Sequence, residues 1–268
     1  MSVLDTLMLG IVQGLSEFLP VSSSGHIELF KAVFEGDNQL HQGLFITIML
    51  HAATAFSTLF VFRKDISLIL FDLLRFKKGE SLNFSIKILL SMIPAVIVGL
   101  FFEKFIASLF EGKIALVGAM FIITAMLLFL ADRVNDNNQK LNFNKAFAIG
   151  IIQAIAILPG ISRSGATIAL AVLLKIDRNN AARFSFLMVI PLILGSMAKS
   201  ILGVELSQDN TDLLPLFVGF VSAFVTGIFA CRWMIALVKK SQLKYFSLYC
   251  LAIGILTIIF NLRDEFIT

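Results

Sequence analysis

An arginine between two serines is the residue in this sequence best suited to hold an anion. Arg163 lies in the otherwise apolar stretch LPGISRSGAT, where a guanidinium is costly unless it faces a cavity, an anion or backbone carbonyls. Its planar donors match phosphate oxygens, and the free N–H groups at the start of a helix also attract anions. We therefore predict that Arg163 binds phosphate with Ser162, Ser164, Gly165 and Thr167; a structural clamp on backbone carbonyls is the alternative.

A second polar group near the N-terminus carries the opposite charge. Gln13 and Glu17 are four residues apart, which places both on one face of a helix. Glu17 is an acid inside an apolar run, so it either pairs with Arg163 or binds a divalent cation that sits against phosphate. We favour the cation, because a serine-rich turn and a histidine follow directly.

That turn contains hydroxyl groups and a titratable ring. Ser22, Ser23 and Ser24 precede His26. A single histidine in a membrane segment often only links helices by a hydrogen bond, but three adjacent hydroxyls favour acid–base work or attack on phosphorus. The nucleophile stays open between His26, Ser22, Ser23 and water. His51, in the next apolar segment, either lines the same cavity or makes an interhelical hydrogen bond.

The two polar stretches are copies of each other. Residues 10–27 align with residues 150–167 at an offset of 140 without a gap. Each begins with an apolar run of about twelve residues, which is too short to cross a bilayer that needs about 20, and then breaks at a proline and a serine-rich turn. We predict two re-entrant broken-helix hairpins, since paired segments of this kind in two halves of a chain indicate a binding site. The identical positions include Gly10 and Gly150, Gln13 and Gln153, Ser22 and Ser162, and Gly25 and Gly165.

The rest of the chain supplies the elements that would position these hairpins. A polar link at 35–43 follows the first hairpin, and the second hairpin lies between the third and fourth of six apolar runs long enough to span. Each half, approximately 1–131 and 140–268, therefore has one hairpin and three spans, and an odd number of spans gives inverted repeats within a single integral membrane domain, 1–268. The predicted spans are 44–62, 84–102, 114–131, 184–203, 213–237 and 245–262.

Composition supports an all-α polytopic membrane protein. Of the 268 residues, 58% are hydrophobic and 15% are charged, against about 25% charged in soluble domains. The net charge of +4 does not indicate nucleic-acid binding, because the basic residues lie mostly in short loops. Fourteen Lys and Arg lie in loops on one side and four on the other, which places both termini outside and makes the hairpins enter from opposite faces.

At this point the sequence resembles a known family. QGLSEFLPVSSSGH resembles the [E/Q]xxxE plus PxSSxGH signature, and LPGISRSGAT resembles the PGxSRSxxT signature, of the undecaprenyl-diphosphate phosphatase family of the bacitracin-resistance type. The segments IPAVIVGLFFEKFI and AARFSFLMVIP also resemble that family. The resemblance therefore extends over nearly the whole chain.

The resemblance implies a function and a location. It implies hydrolysis of undecaprenyl diphosphate to undecaprenyl phosphate and inorganic phosphate, which recycles the lipid carrier for peptidoglycan synthesis and gives bacitracin resistance. The site would open to the outer face of the inner (plasma) membrane and use a divalent cation, Mg²⁺ or Ca²⁺. The implied partners are a polyprenyl diphosphate lipid and membrane lipids but no nucleic acid, and a homodimer is left open. The rival class is a polyprenyl-phosphate flippase or another inverted-repeat anion transporter.

The resemblance also implies a role for individual residues. Glu17 would be the acidic site residue and metal ligand, and His26 the catalytic histidine. Many members have glutamate where this chain has Gln13, so this chain has one carboxylate fewer for a metal site. The turn hydroxyls would be Ser22 and Ser23, and the diphosphate clamp would be Arg163 with Ser162, Ser164 and Thr167.

Overall fold

The computed structural model describes residues 3–34, 44–76, 79–109, 113–135, 138–203 and 213–267. Within these ranges the regular secondary structure is helical apart from one isolated bridge between Gln139 and Ile176, which confirms the all-α class. The predicted polar link at 35–43 lies outside the described residues. The helices are α1 Val3–Phe18, α2 Ser23–Phe34, α3 Leu44–Val61, α4 Arg63–Leu74, α5 Glu80–Phe101, α6 Glu103–Leu109, α7 Ile114–Asp132, α8 Phe143–Ile155, α9 Arg163–Leu173, α10 Arg178–Leu187, α11 Val189–Gly203, α12 Leu213–Lys239 and α13 Lys244–Ile267.

Several helices are long and apolar enough to cross a membrane. Five such segments occur in the described part of the chain, and they coincide with five of the six predicted spans. The predicted span 44–62 corresponds to α3, which has 18 residues. The chain is therefore a multi-pass membrane protein, and the count of six spans stays a prediction. The five segments are Glu80–Phe101, Ile114–Asp132, Arg178–Lys199, Leu213–Lys239 and Lys244–Leu262.

Both predicted hairpins are helix–turn–helix units that break where the sequence changes. The first apolar run ends with α1 at Phe18 and resumes with α2 at Ser23. The second ends with α8 at Ile155 and resumes with α9 at Arg163. The two return helices thus begin 140 positions apart, so the offset read from the sequence is also present in the backbone.

The hairpins pack reciprocally on long helices from the opposite half of the chain. Helix α1 of the first hairpin packs on α12, and α8 of the second hairpin packs on α5. The long helices α7 and α13, one from each half, pack on each other. A methyl group at Gly10 would lie 2.5 Å from the carbonyl oxygen of Gly219, and one at Gly150 would lie 2.8 Å from the Cα of Ser91. The two equivalent glycines therefore permit the same close helix contact, which is typical of membrane helix pairs.

Large apolar side chains cover the outside of the helices as well as the core. Phe121, Ile149 and Met234 are fully buried, whereas Phe217 and Phe229 are each 66% exposed. Apolar surface of this extent is unusual on a soluble protein. A bilayer is the solvent that accounts for it.

Candidate active site

Both turns that connect the broken hairpins end in a serine that caps the next helix. The Ser22 hydroxyl accepts a hydrogen bond from the Gly25 N–H at 3.2 Å, and the Ser162 hydroxyl accepts one from the Gly165 N–H at 3.1 Å. Each serine thus caps the helix that follows, a role for which serine is strongly preferred. Ser22 has a φ of +64°, a value uncommon outside glycine and often found at functional sites.

The turns also contact each other reciprocally. A methyl group at Gly25 would lie 2.9 Å from the Cα of Gly160, and one at Gly165 would lie 3.0 Å from the Cβ of Pro20. These two pairs are equivalent under the offset of 140. The Ser164 hydroxyl is also 3.4 Å from the carbonyl oxygen of Leu19, to which it donates. The predicted meeting of the two serine turns is therefore present.

Long helices hold each turn in place by hydrogen bonds. On α7, the Thr124 hydroxyl accepts from the Ser162 N–H at 3.1 Å and donates to the carbonyl oxygen of Gly160 at 3.3 Å. On α13, the Cys250 thiol donates to the carbonyl oxygen of Pro20 at 3.4 Å. Backbone groups that the breaks leave free are thereby satisfied inside the protein, as irregular backbone at membrane depth requires.

A partly buried ion pair joins the two hairpins. Arg163 Nη2 donates to Glu17 Oε1 at 2.5 Å. The other carboxylate oxygen, Oε2, accepts from Gln13 Nε2 at 3.0 Å and from the Ser23 hydroxyl at 3.3 Å. Glu17 thus makes the pairing with Arg163 that was the less favoured of the two sequence alternatives. A carboxylate and a guanidinium from different halves stabilise one another in a setting where either alone would be costly.

One cavity of about 330 Å³ lies at this junction. Most of the predicted site residues line it, and they come from both turns. The shared polar hollow that the repeat predicts is therefore present. Its polar lining comprises Ser16, Glu17, Ser22, Ser23, Ser24, His51, Gln153, Ser162, Arg163 and Ser164.

Three other predicted residues support the cavity from behind its lining. Gln13 reaches it through the carboxylate of Glu17. Gly165 leaves space for Pro20 at the contact between the turns. The Thr167 hydroxyl donates to the carbonyl oxygen of Arg163 at 2.9 Å, so Thr167 contacts the backbone of the arginine and does not line the cavity.

His26 lies on the other side of the first turn. It lines a separate, mostly apolar cavity of about 650 Å³ with Trp233 and Tyr249. Its Nδ1 is 2.8 Å from the carbonyl oxygen of Ser22, and since a carbonyl oxygen only accepts, the proton is assigned to Nδ1. In the neutral ring, Nε2 then accepts from the Tyr249 hydroxyl at 2.7 Å. The structure does not bring His26 together with Glu17 and Arg163.

His51 and Gln153, which are not among the predicted site residues, also line the cavity. For His51 the sequence predicted either a place in the cavity lining or an interhelical hydrogen bond, and the structure shows both. It lines the cavity, and its Nδ1 is 3.2 Å from Gln13 Nε2 on α1. Gln153 lines the same cavity and is fully buried. The repeat was the signal that pointed to Gln153, since it aligns with Gln13.

The side chains at the site do not fit a metal held by the protein alone. Glu17 is the one carboxylate that lines the cavity in the described part of the chain, and donors occupy both of its oxygens. No group of three or more His, Cys, Asp or Glu side chains in the described ranges is arranged to hold a metal ion. Ca²⁺ takes about six to eight oxygen ligands, and Mg²⁺ about six, several of them water. Gln13, which donates to Glu17, is an amide at a position where a carboxylate would give the site a second acidic ligand.

The cavity has the chemistry of a site for a phosphorylated group. The helices α2 and α9 both begin at it, so free N–H groups and the positive ends of two helix dipoles face the hollow. Arg163 adds a guanidinium. The Ser23 hydroxyl, which donates to Glu17, is placed to lose its proton to that carboxylate and attack an electrophile bound there.

Comparison with known proteins agrees with this chemistry. The family described as bacitracin resistance protein BacA matches residues 6–256. A protein of Christiangramia forsetii named undecaprenyl-diphosphatase is 55% identical over 261 residues, which cover 97% of this chain and 98% of the relative. Proteins of the same name from Bacteroides fragilis and Methanococcus vannielii are 43% and 38% identical, over 95% and 96% of this chain and 97% and 100% of the relatives. These matches include both hairpins.

Proposed function

The chain belongs to the bacitracin resistance protein BacA family, and from this membership we infer that it is an undecaprenyl-diphosphatase. It is a membrane hydrolase that converts undecaprenyl diphosphate to undecaprenyl phosphate and inorganic phosphate. This reaction regenerates the lipid carrier for cell-wall synthesis and accounts for bacitracin resistance. The relatives are named for hydrolysis, and no observation favours the flippase alternative.

The observation that carries the proposal is the cavity shared by the two turns. It combines the guanidinium of Arg163, the carboxylate of Glu17 and the hydroxyl of Ser23 with the starts of two helices. Phosphoryl transfer depends on positioning and on charge stabilisation at the transferred group. We propose that the diphosphate head group binds here, with its oxygens facing Arg163 and the N-terminus of α9.

Ser23 is the nucleophile that the geometry favours. Its hydroxyl donates to Glu17, whereas the Ser22 hydroxyl caps α2 and that residue is only 3% exposed. The Ser23 oxygen would bond to the terminal phosphorus while the bond from that phosphorus to the bridging oxygen breaks and the hydroxyl proton passes to Glu17. The bridging oxygen leaves with undecaprenyl phosphate. Water then attacks the phosphoserine, the proton on Glu17 returns to Ser23, and inorganic phosphate departs.

Rapid quenching tests this proposal. Purified protein in detergent is mixed with a prenyl diphosphate whose terminal phosphate is radiolabelled, and we expect labelled phosphoserine and free phosphate from the wild type and from Ser22→Ala. Ser23→Ala should form neither and should lose at least about a thousandfold in kcat. A labelled histidine, or turnover retained in Ser23→Ala, would contradict the assignment. Binding without phosphate release by the wild type would indicate a carrier.

We also propose that the two halves are inverted repeats with re-entrant hairpins and six spans. The reciprocal contacts of Gly25 with Gly160 and of Gly165 with Pro20 support this arrangement, as does the unequal distribution of basic residues between the loops. In this orientation the protein lies in the inner (plasma) membrane with both termini outside and its site open to the outer face. A homodimer stays a prediction.

A divalent cation, Mg²⁺ or Ca²⁺, is part of the proposal only as a companion of the substrate. Mg²⁺ keeps several waters and often binds through substrate phosphates with one or two carboxylates, and Glu17 is the one carboxylate among the described residues that line the cavity. The cation would neutralise phosphate charge when bound. Full activity after complete chelation would exclude this part of the proposal.

A further inference from the structure

Gln153 is a buried amide whose polar atoms have no hydrogen-bond partner within the described residues. It is 0% exposed, and neither its Oε1 nor its Nε2 makes a hydrogen bond in that part of the chain. Most buried polar side-chain atoms in folded proteins have at least one partner, so an exception requires an explanation. Gln153 also lines the cavity that contains Arg163, which places the unsatisfied amide at the candidate active site.

Its counterpart in the first half shows what Gln153 lacks. Gln13 donates to Glu17 and lies 3.2 Å from the ring of His51. At the offset of 140 the positions of Glu17 and His51 are occupied by Ile157 and Pro191, and neither side chain has a donor or an acceptor. The second half thus keeps the glutamine and has apolar residues where its partners would be.

The charges of the cavity show what is left for Gln153 to bind. Glu17 and Arg163 form an ion pair, so the charged side chains that line the described cavity sum to zero. A diphosphate carries several negative charges and needs more donors than one paired guanidinium provides. Neutral N–H groups on the cavity wall meet this need without adding a buried charge, and the carboxamide of Gln153 has two.

We propose that Gln153 is a substrate-positioning residue whose amide N–H₂ donates to a phosphate oxygen of the bound diphosphate. Its Oε1 accepts from water that enters with the head group. The inference rests on the proposed function and adds a contact from α8 to the candidate site. The amide is then unsatisfied in the free protein and satisfied in the complex.

The variant Gln153→Met separates a substrate contact from a structural one. Methionine has similar length and no amide, so a structural hydrogen bond would be lost and the protein destabilised. If the partner is the substrate, we expect the melting temperature in detergent to stay level or rise, because an unsatisfied buried amide is removed. The KM for a prenyl diphosphate should rise about tenfold, the effect of one hydrogen bond to a charged group.

Two further variants complete the experiment. Gln153→Glu has the same shape but adds a negative charge, and we expect its KM to rise more than that of Gln153→Met. If Gln153→Met does not fold, the KM of Gln153→Glu tests the proposed contact instead. Gln139→Met is the control, because Gln139 lies in an exposed loop and bonds to Lys145; its KM should match that of the wild type.

The outcomes separate this inference from the function on which it rests. A wild type that releases no phosphate from a prenyl diphosphate overturns the proposed function. An active wild type whose KM is unchanged within about twofold by Gln153→Met or Gln153→Glu overturns only the role of Gln153. A raised KM with an unchanged or raised melting temperature supports the role of Gln153, whereas a lowered melting temperature with an unchanged KM shows a structural hydrogen bond and overturns it.

Discussion

At the scale of single residues, the site depends on side chains that neutralise each other before substrate arrives. Glu17 and Arg163 are 146 positions apart in sequence and form a partly buried pair. Removal of either partner leaves an uncompensated charge in an apolar setting, which is strongly destabilising. Loss of activity after such a change therefore mixes folding with chemistry. Ser23, His26 and Gln153 are better probes, because none of them forms an ion pair in the described structure.

His26 provides a prediction at this scale. Because its Nδ1 contacts the carbonyl oxygen of Ser22, we propose that His26 is a positioning residue for the turn. Loss of one neutral hydrogen bond costs about 1 kcal/mol, and we expect His26→Ala to lower kcat about five- to tenfold. His26→Gln keeps a donor for the Ser22 carbonyl and should recover most of this loss. Steady-state phosphate release in detergent measures both variants.

The control for His26 is its hydrogen-bond partner on α13. Tyr249→Phe removes the hydroxyl bonded to Nε2 but keeps the ring that stacks on the imidazole, so kcat should change by less than about threefold. Direct acid–base catalysis contributes about 10²- to 10⁴-fold. A loss of that size in both His26→Ala and His26→Gln would show that the imidazole contacts the reacting groups.

At the scale of elements, close packing between helices fixes where the hairpins sit. Gly150 on α8 faces Ser91 on α5, where an added methyl group would lie 2.8 Å from the Ser91 Cα. We expect Gly150→Ala to destabilise the protein by about 1–3 kcal/mol, the usual cost of overpacking. Unfolding can be followed with a thiol-reactive dye, because both cysteines, Cys231 and Cys250, are buried in the folded protein.

Gly99 is a matched control for Gly150. It lies on the same helix α5 that receives α8, and a methyl group there would meet no atom within 4 Å. Gly99→Ala should leave the melting temperature unchanged or raise it, because alanine is favoured over glycine in helices by about 1 kcal/mol. Equal effects of the two changes would contradict a specific contact between α8 and α5.

The positions of the helices could be predicted from the sequence, whereas some side-chain contacts could not. The offset of 140 and the breaks in the apolar runs predicted the two helix–turn–helix units. The side of the turn that His26 faces did not follow, because it depends on Tyr249, which is 223 positions away. The unsatisfied state of Gln153 was equally inaccessible, since periodicity identifies a buried face but not the atoms opposite it.

At the scale of the whole molecule, the site belongs to neither half alone. The first half provides Glu17 and Ser23, and the second provides Arg163 and Gln153. Each turn is held by a long helix of the other half, through Thr124 on α7 and Cys250 on α13. The halves are therefore interleaved, and the side chains of the candidate site meet only when both halves have folded.

If the two halves are inverted repeats, equivalent positions in them must face opposite sides of the membrane, and this can be tested. Leu4 at the start of α1 and Asn144 at the start of α8 are 140 positions apart, and both are exposed. In intact cells a membrane-impermeant thiol reagent should label Leu4→Cys directly and Asn144→Cys only after permeabilisation. The native cysteines are buried and should stay unlabelled. Labelling of both variants from one side would make the repeats parallel, and the tips of two hairpins that entered from the same face would then not meet head to head.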